Sequence, residues 1–149
     1  MTFRATSQEA AKAYTLIKTQ AAATRAYLIA QRAAMQQATC DSNIVLVTIQ
    51  HFGSVVAKLA AWAATPGLAQ YAKDQENDQA YDVVAEFQTM NAALVNARDT
   101  LIGMFPKDGN GFLLYQTLNA NGQVVSRTFT AAQLAAAVPL LNSAIATIS

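Results

Sequence analysis

The residues able to do chemistry are few and scattered. The single histidine, His51, and the single cysteine, Cys40, stand eleven residues apart across an expected helix boundary. A Cys-His or Ser-His-Asp site needs an orienting third group, which the neighbouring residues do not supply. His51 therefore reads as a structural residue on a helix flank, and Cys40 as a small buried or half-buried thiol of a reducing compartment. Asp82 and Glu86 form a carboxylate pair four residues apart, but a carboxylate-bridged metal bundle needs a matching pair on another helix. They read as a solvated face. Lys107-Asp108-Gly109-Asn110-Gly111 has the opening of a calcium loop, yet the chain turns apolar at Phe112, where later oxygen ligands would be required. The glycines fit neither the dinucleotide fingerprint nor a P-loop. The expectation is a protein that is not an enzyme, with no catalytic residue, no metal and no cofactor. Catalysis by His51, or by Asp82 with Glu86, would require at least two of them to meet in a concave site.

Composition narrows the partners. Hydrophobic residues make up 53% of the 149-residue chain and charged residues 13%, about half of the ~25% usual for a soluble protein. Exposed faces must then be built from Gln, Asn, Thr, Ser and Ala. The net charge is +1 and no three basic residues adjoin, so neither nucleic acid nor an anionic membrane surface is an expected partner. After Met1 the chain lacks the apolar core of a secretory signal, so no trimming is expected. Gln50, His51 and Lys58 interrupt the longest apolar stretch, which is read as short of the ~20 residues of a membrane span.

The elements follow from spacing, and the stretch Asp41 to Ala64 stands at their centre. Ile44, Val45, Val47, Thr48, Phe52, Val55, Val56, Leu59, Trp62 and Ala63 recur at helical steps, so this helix should be wet on only a narrow strip and lie in the middle of the fold. Gly53 inside it costs roughly 1 kcal/mol against Ala, which suggests a close approach by another backbone. Before it, Thr6 and Glu9 have capping-box spacing. A first helix should run from there to about Ala38 with the stripe Tyr14, Ile17, Ala21, Thr24, Leu28, Gln31 and Met35. Thr39 to Asn43 should be a tight connection. Thr65-Pro66-Gly67 ends the second helix, with a short further turn through Leu68, Tyr71 and Ala72, and Lys73 to Asp78 is a solvated connection or frayed helix start. A third long helix should span about Asp78 to Met104 on Tyr81, Val84, Phe87, Met90, Leu94, Ala97 and Leu101.

Beyond Phe105-Pro106 the pattern changes. Phe112 to Leu118 and Gln123 to Phe129 are β-branched and aromatic runs around Asn119-Ala120-Asn121-Gly122, a β-hairpin signal. Thr130 and Gln133 then repeat the capping box before a last helix on Leu134, Val138, Leu141 and Ile145, bent by Pro139. The expected fold is mainly α. It is one domain over 1–149: an antiparallel bundle of three long helices over 6–105, a C-terminal β-hairpin over 111–129 and a final helix over 130–147.

The segment GFLLYQTLNANGQVVSRTFTAAQLAAAVPLL, following Ala- and Gln-rich helices of low charge, resembles small virion proteins of tailed bacteriophages. That resemblance implies assembly as the function, a place at a head-tail, neck or tail junction, and rings of identical copies. It also implies other virion structural proteins as partners, and location in the virion, with the host cytoplasm during assembly. An isolated hairpin is marginal in water, so this one must pack on its own bundle or pair with another chain. Phe112, Leu114, Tyr115, Val125 and Phe129 are the expected interface residues, against the alternative that one hairpin face caps the bundle. A second possibility is a binding module or regulator that holds a small apolar ligand or partner helix between helices two and three, with Phe52, Trp62 and Tyr71 around the pocket.

Overall fold

Runs of Ala, Gln, Leu and Arg free of Gly and Pro become long helices, because these residues lose little side-chain freedom in them. The computed structural model describes the backbone of residues 2–148 and the side chains of residues 8–148. The first helix begins at Thr2, ahead of the expected start at Thr6, and the Thr6 side chain of the expected capping box lies outside the described residues. In chain order the elements are α1 (Thr2–Met35), β1 (Thr39–Asp41), α2 (Ser42–Ala63), α3 (Leu68–Glu76), α4 (Val83–Ile102), β2 (Gln116–Leu118), β3 (Val124–Ser126), β4 (Thr128–Thr130), α5 (Ala131–Leu134) and α6 (Val138–Ile148). The protein is mainly helical, with two small antiparallel sheets.

The helix stripes point where their spacing places them. On α1, Ile17, Thr24, Leu28 and Met35 are buried, and on α4 Met90, Leu94, Ala97 and Leu101 are. The longest helix, α1, packs on α2, α3 and α6, and α4 packs on α2, α3 and α6. The final helix is therefore an integral side of the helical body, contributing Leu141, Ala144 and Ile145 to the core. Two buried hydroxyls are satisfied inside it. Thr48 Oγ1 donates to the Ile44 carbonyl at 2.7 Å and accepts from Gln31 Nε2 at 2.8 Å, and Thr24 Oγ1 accepts from Gln20 Nε2 at 3.2 Å. A buried hydroxyl without such partners would cost about 1–3 kcal/mol.

Several expectations are corrected. The second helix is wet on more than a narrow strip. It buries Val45, Thr48, Ile49, Phe52, Val55 and Leu59 against its neighbours, while Val47, Gln50, Ser54, Ala57 and Ala61 form an exposed face. Nor does Gly53 mark a close approach, since a Cβ there would meet nothing within 4 Å. The reading that this stretch falls short of a membrane span also fails: by length and composition Ser42–Ala63 is long and apolar enough to cross one. Its stripe Val45, Ile49, Phe52, Val55 and Leu59 lines the core.

Boundaries shifted for identifiable reasons. The first helix stops at Met35, and Thr39–Asp41, expected as a plain connection, is strand β1, paired antiparallel with β4 in the register Thr39↔Thr130, Cys40↔Phe129 and Asp41↔Thr128. Lys73–Glu76 belongs to α3, which ends on Asn77 in the left-handed region at φ 53°. The third long helix starts at Val83 because Asp82 caps it, Oδ1 accepting from Ala85 N at 3.0 Å. Just before that cap, Asp78 holds a turn to Tyr81. Asp82 is thus a cap, and with Glu86 it stays exposed, as a solvated face requires. The Thr130/Gln133 capping box is present in full, but it starts only the single turn of α5. Pro139 breaks the expected last helix instead of bending it, since its ring has no N–H to give the Ala135 carbonyl and collides with it in a continuous helix. The chain restarts as α6 with Pro139 in the first turn, where no helical donor is required.

Candidate functional site

The uncharged stretch from Phe112 to Ser126 carries the most conspicuous surface. Its shape comes from two asparagine- and aspartate-held turns. Asp108 Oδ1 accepts from Asn110 N at 2.8 Å and Phe112 N at 3.0 Å, and Asp108 N donates to the Phe112 carbonyl at 2.9 Å. This is a loop closed on its own side chain, and it is what the calcium-like spacing becomes. Further on, Asn119 Oδ1 accepts from Asn121 N and Gln123 N, each at 2.9 Å, and Gly122 turns the chain at φ 77°. A left-handed residue at that place closes a three-residue hairpin loop, and glycine adopts it without a Cβ clash.

The hairpin joins β2 to β3 in the register Gln116↔Ser126, Thr117↔Val125 and Leu118↔Val124. Side chains alternate across a strand, so the register sorts them by face. Leu118 is 64% exposed and its cross-strand partner Val124 63%, while Thr117 and Val125 are half-buried on the other face. Phe112 is 70% exposed, and Leu114 and Tyr115 are also exposed. These five residues, with Val47 on α2, are the large apolar side chains most open to solvent among the described residues. Beside them a groove lined by Asn43, Leu46, Leu113, Leu114, Tyr115 and Gln116 separates the start of α2 from the approach to β2.

Of the five expected interface residues, the structure leaves Phe112, Leu114 and Tyr115 at the surface and withdraws the other two. Tyr115 is anchored from behind, its ring edge-on to Phe105 at 5.1 Å. Val125 faces inward. Phe129 is a correction: at 5% exposure it is core, edge-on to Phe105 at 5.3 Å and opposite Cys40. Leu118 and Val124 were missed; the period of two from Phe112 through Leu114 to Leu118 is the signal that points to the first of them. The hairpin is tied to its own body, Arg127 Nε donating to the Leu114 carbonyl at 2.9 Å and Ser126 Oγ to Asp41 Oδ2 at 3.0 Å.

The other candidates lie apart. His51 stacks on Tyr27 with centroids 3.9 Å apart, and its Nε2 is buried without a protein partner. Burial, and then the charge of Lys58, holds its imidazole below the ordinary value of 6.5. The folded state thus binds that proton less readily than the unfolded chain. Its contribution to stability is complete above pH 6.5 and declines as pH falls below it. Urea midpoints of the wild type are expected to fall between pH 7 and pH 5.5, and His51→Gln is expected to flatten that fall. An equal fall in the variant would show that another group is responsible. Cys40 is buried, its thiol raised by burial and by Asp41, and it donates to the Asp41 carbonyl.

A polar cluster joins α1, α3 and the start of α4. Lys18 Nζ donates to Tyr81 Oη at 3.1 Å and lies 3.2 Å from Glu76 Oε1, which also accepts from Tyr14 Oη. Burial alone would lower the Lys18 ammonium, but the bonds to Tyr81 and Glu76 hold it above the ordinary lysine value. Burial and the bond to Glu76 push Tyr14 up to about 12. These bonds make Lys18 a clamp between α1, α3 and the approach to α4. The cavity behind it, lined by Ile17, Ala21, Val83, Met90 and Ile148, measures about 30 Å³, room for a water or two. Phe52, Trp62 and Tyr71 do not converge. Phe52 is core, Tyr71 packs edge-on to Tyr14, and Trp62 borders an open groove with Lys12, Leu16 and Pro66. Among the described residues no three His, Cys, Asp or Glu side chains are grouped to hold a metal.

No family model, curated protein or solved structure matches the chain.

Proposed function

We propose that the protein is a structural assembly component, a virion protein of tailed bacteriophages that works by self-association or by docking onto a larger ring, in the virion and beforehand in the host cytoplasm. One observation supports this above the others: an uncharged hairpin whose outer face shows Leu118 and Val124 to solvent, next to Phe112. An apolar patch without charge loses little on desolvation and gains about 25 cal/mol for each Å² covered. In this reading the three long helices α1, α2 and α4 form the bundle that carries the hairpin. The partners are further copies or other virion structural proteins, without nucleic acid, membrane, cofactor or catalysis. The alternative of a binding module for a small apolar ligand has weaker support, because α2 and α4 pack directly on each other and Phe52, Trp62 and Tyr71 do not converge.

The test is the solution mass by light scattering over a concentration range, for wild type and for the double substitution Leu118→Lys and Val124→Lys. The wild type is expected to associate and the variant to remain a monomer with unchanged helical circular dichroism, since both side chains are exposed. Undiminished association of the variant would remove the hairpin face from the reading. A wild type monomeric at high concentration would remove self-association and leave docking on a foreign ring.

A further inference from the structure

Resting on the assembly reading, and naming its partner, we propose that the outer edge of β2 pairs with β2 of a second copy of this chain, antiparallel across a two-fold axis, to join two hairpins into one four-stranded sheet. Among the described residues β2 has β3 on one side and no strand on the other, the segment Pro106–Lys107 covering that edge only as far as Leu114, whose N donates to the Pro106 carbonyl at 2.8 Å. Antiparallel strands alternate between residues that exchange backbone hydrogen bonds with a partner and residues whose N–H and C=O point away from it. The closing bond of the hairpin, Asn119 N to the Gln123 carbonyl at 3.0 Å, sets the phase. With Asn119 opposite Gln123 bonded, Thr117 opposite Val125 is the next bonded pair. Gln116 and Leu118 then direct their backbone groups outward.

This pattern is self-complementary. A two-fold axis through Thr117 sets Gln116 of each copy opposite Leu118 of the other, and every outward N–H of the two strands then finds an outward C=O. The contact is isologous, the same edge serving both copies. Charge points the same way. Exposed edges are ordinarily protected by Lys, Pro or an inward charge, and none occurs between Phe112 and Ser126. A two-fold contact brings each patch against itself, where any net charge would repel its own image, and this patch has none. In the joined sheet Leu118 and Val124 of both copies share one face, each Leu118 beside Gln116 of the neighbour.

The test separates edge pairing from burial of the face. Gln116→Pro removes an outward donor at the first residue of the strand, where proline is tolerated, and leaves the hairpin's own bonds intact. Sedimentation velocity is run on the wild type, on Gln116→Pro and on the Leu118→Lys, Val124→Lys double variant. Edge pairing predicts that the wild type dimerises and that Gln116→Pro is at least tenfold weaker in association with the same circular dichroism. It also predicts that the Gln116 and Leu118 amides of the wild type exchange with deuterium more slowly in the concentrated sample than in the dilute one. That exchange readout decides the matter even where the proline variant misfolds. Association of Gln116→Pro at wild-type strength, with only the lysine variant monomeric, would overturn edge pairing and leave the assembly reading standing. A wild type that stays monomeric, or edge amides that exchange equally fast at both concentrations, would also overturn edge pairing.

Discussion

Phe129→Asp is expected to cost on the order of 4 kcal/mol or more, enough to unfold a domain of this size or leave its β1–β4 end open. Truncating a buried Phe alone costs about 3–5 kcal/mol, and a carboxylate placed there would be buried without a partner, which adds to the loss. The geometry leaves no escape. Phe129 sits opposite Cys40 in the β1–β4 pair, and its ring meets Phe105, whose other ring partner is Tyr115. Loss of the ring therefore loosens the strand that ties the α1–α2 connection to the C-terminal segment. It also frees one side of Phe105, the ring that backs Tyr115. Phe112→Asp, at a side chain 70% exposed, is expected to change stability by no more than about 0.5 kcal/mol. Urea midpoints for the two variants check both statements together. A Phe129→Asp protein with the midpoint of Phe112→Asp would show that β4 does not pack on the helical body.

The same pair of residues shows what was legible in the sequence. Helix stripes are local, and Ile17, Leu28, Met90, Leu94 and Leu101 were recognisable because a core face repeats within a single element. The hairpin was equally recognisable, because Asn119 and Gly122 state the turn. Strand β1 was not, since three residues after a helix have no period of their own and the partner, Thr128–Thr130, comes from the far end of the chain. Assigning faces needed the register as well. Val125 and Val124 are both β-branched, and only the pairing of Leu118 with Val124 decides which one meets water. That one-residue step is why Val125 and Phe129 were expected at the surface while Leu118 and Val124 were passed over. The place of α6 depended on tertiary contacts with both α1 and α4, which no window of sequence records.

Helix α2 poses the sharpest question about this chain, because Ser42–Ala63 has the length and composition of a membrane span and yet lies in a helical body. Phe52→Ala decides between the two explanations of its apolarity. If the stripe Val45, Ile49, Phe52, Val55 and Leu59 is apolar because it fills the core, then removing the fully buried Phe52 ring leaves a cavity. The expected loss is about 3–5 kcal/mol, a large share of the roughly 5–15 kcal/mol that holds a domain together. Val47→Ala, on the outward face of the same helix, is then expected to cost less than about 0.5 kcal/mol. A membrane-directed helix makes the opposite demand, since lipid would surround it and the outward face would matter as much as the inward one. Chemical denaturation of the two variants in water, with vesicle flotation as a companion, reads the difference. A loss below about 1 kcal/mol for Phe52→Ala, or flotation of the wild type with vesicles, would mean that core packing does not account for this helix. A steep loss for Phe52 with none for Val47 ties its apolarity to the core that holds the hairpin in place.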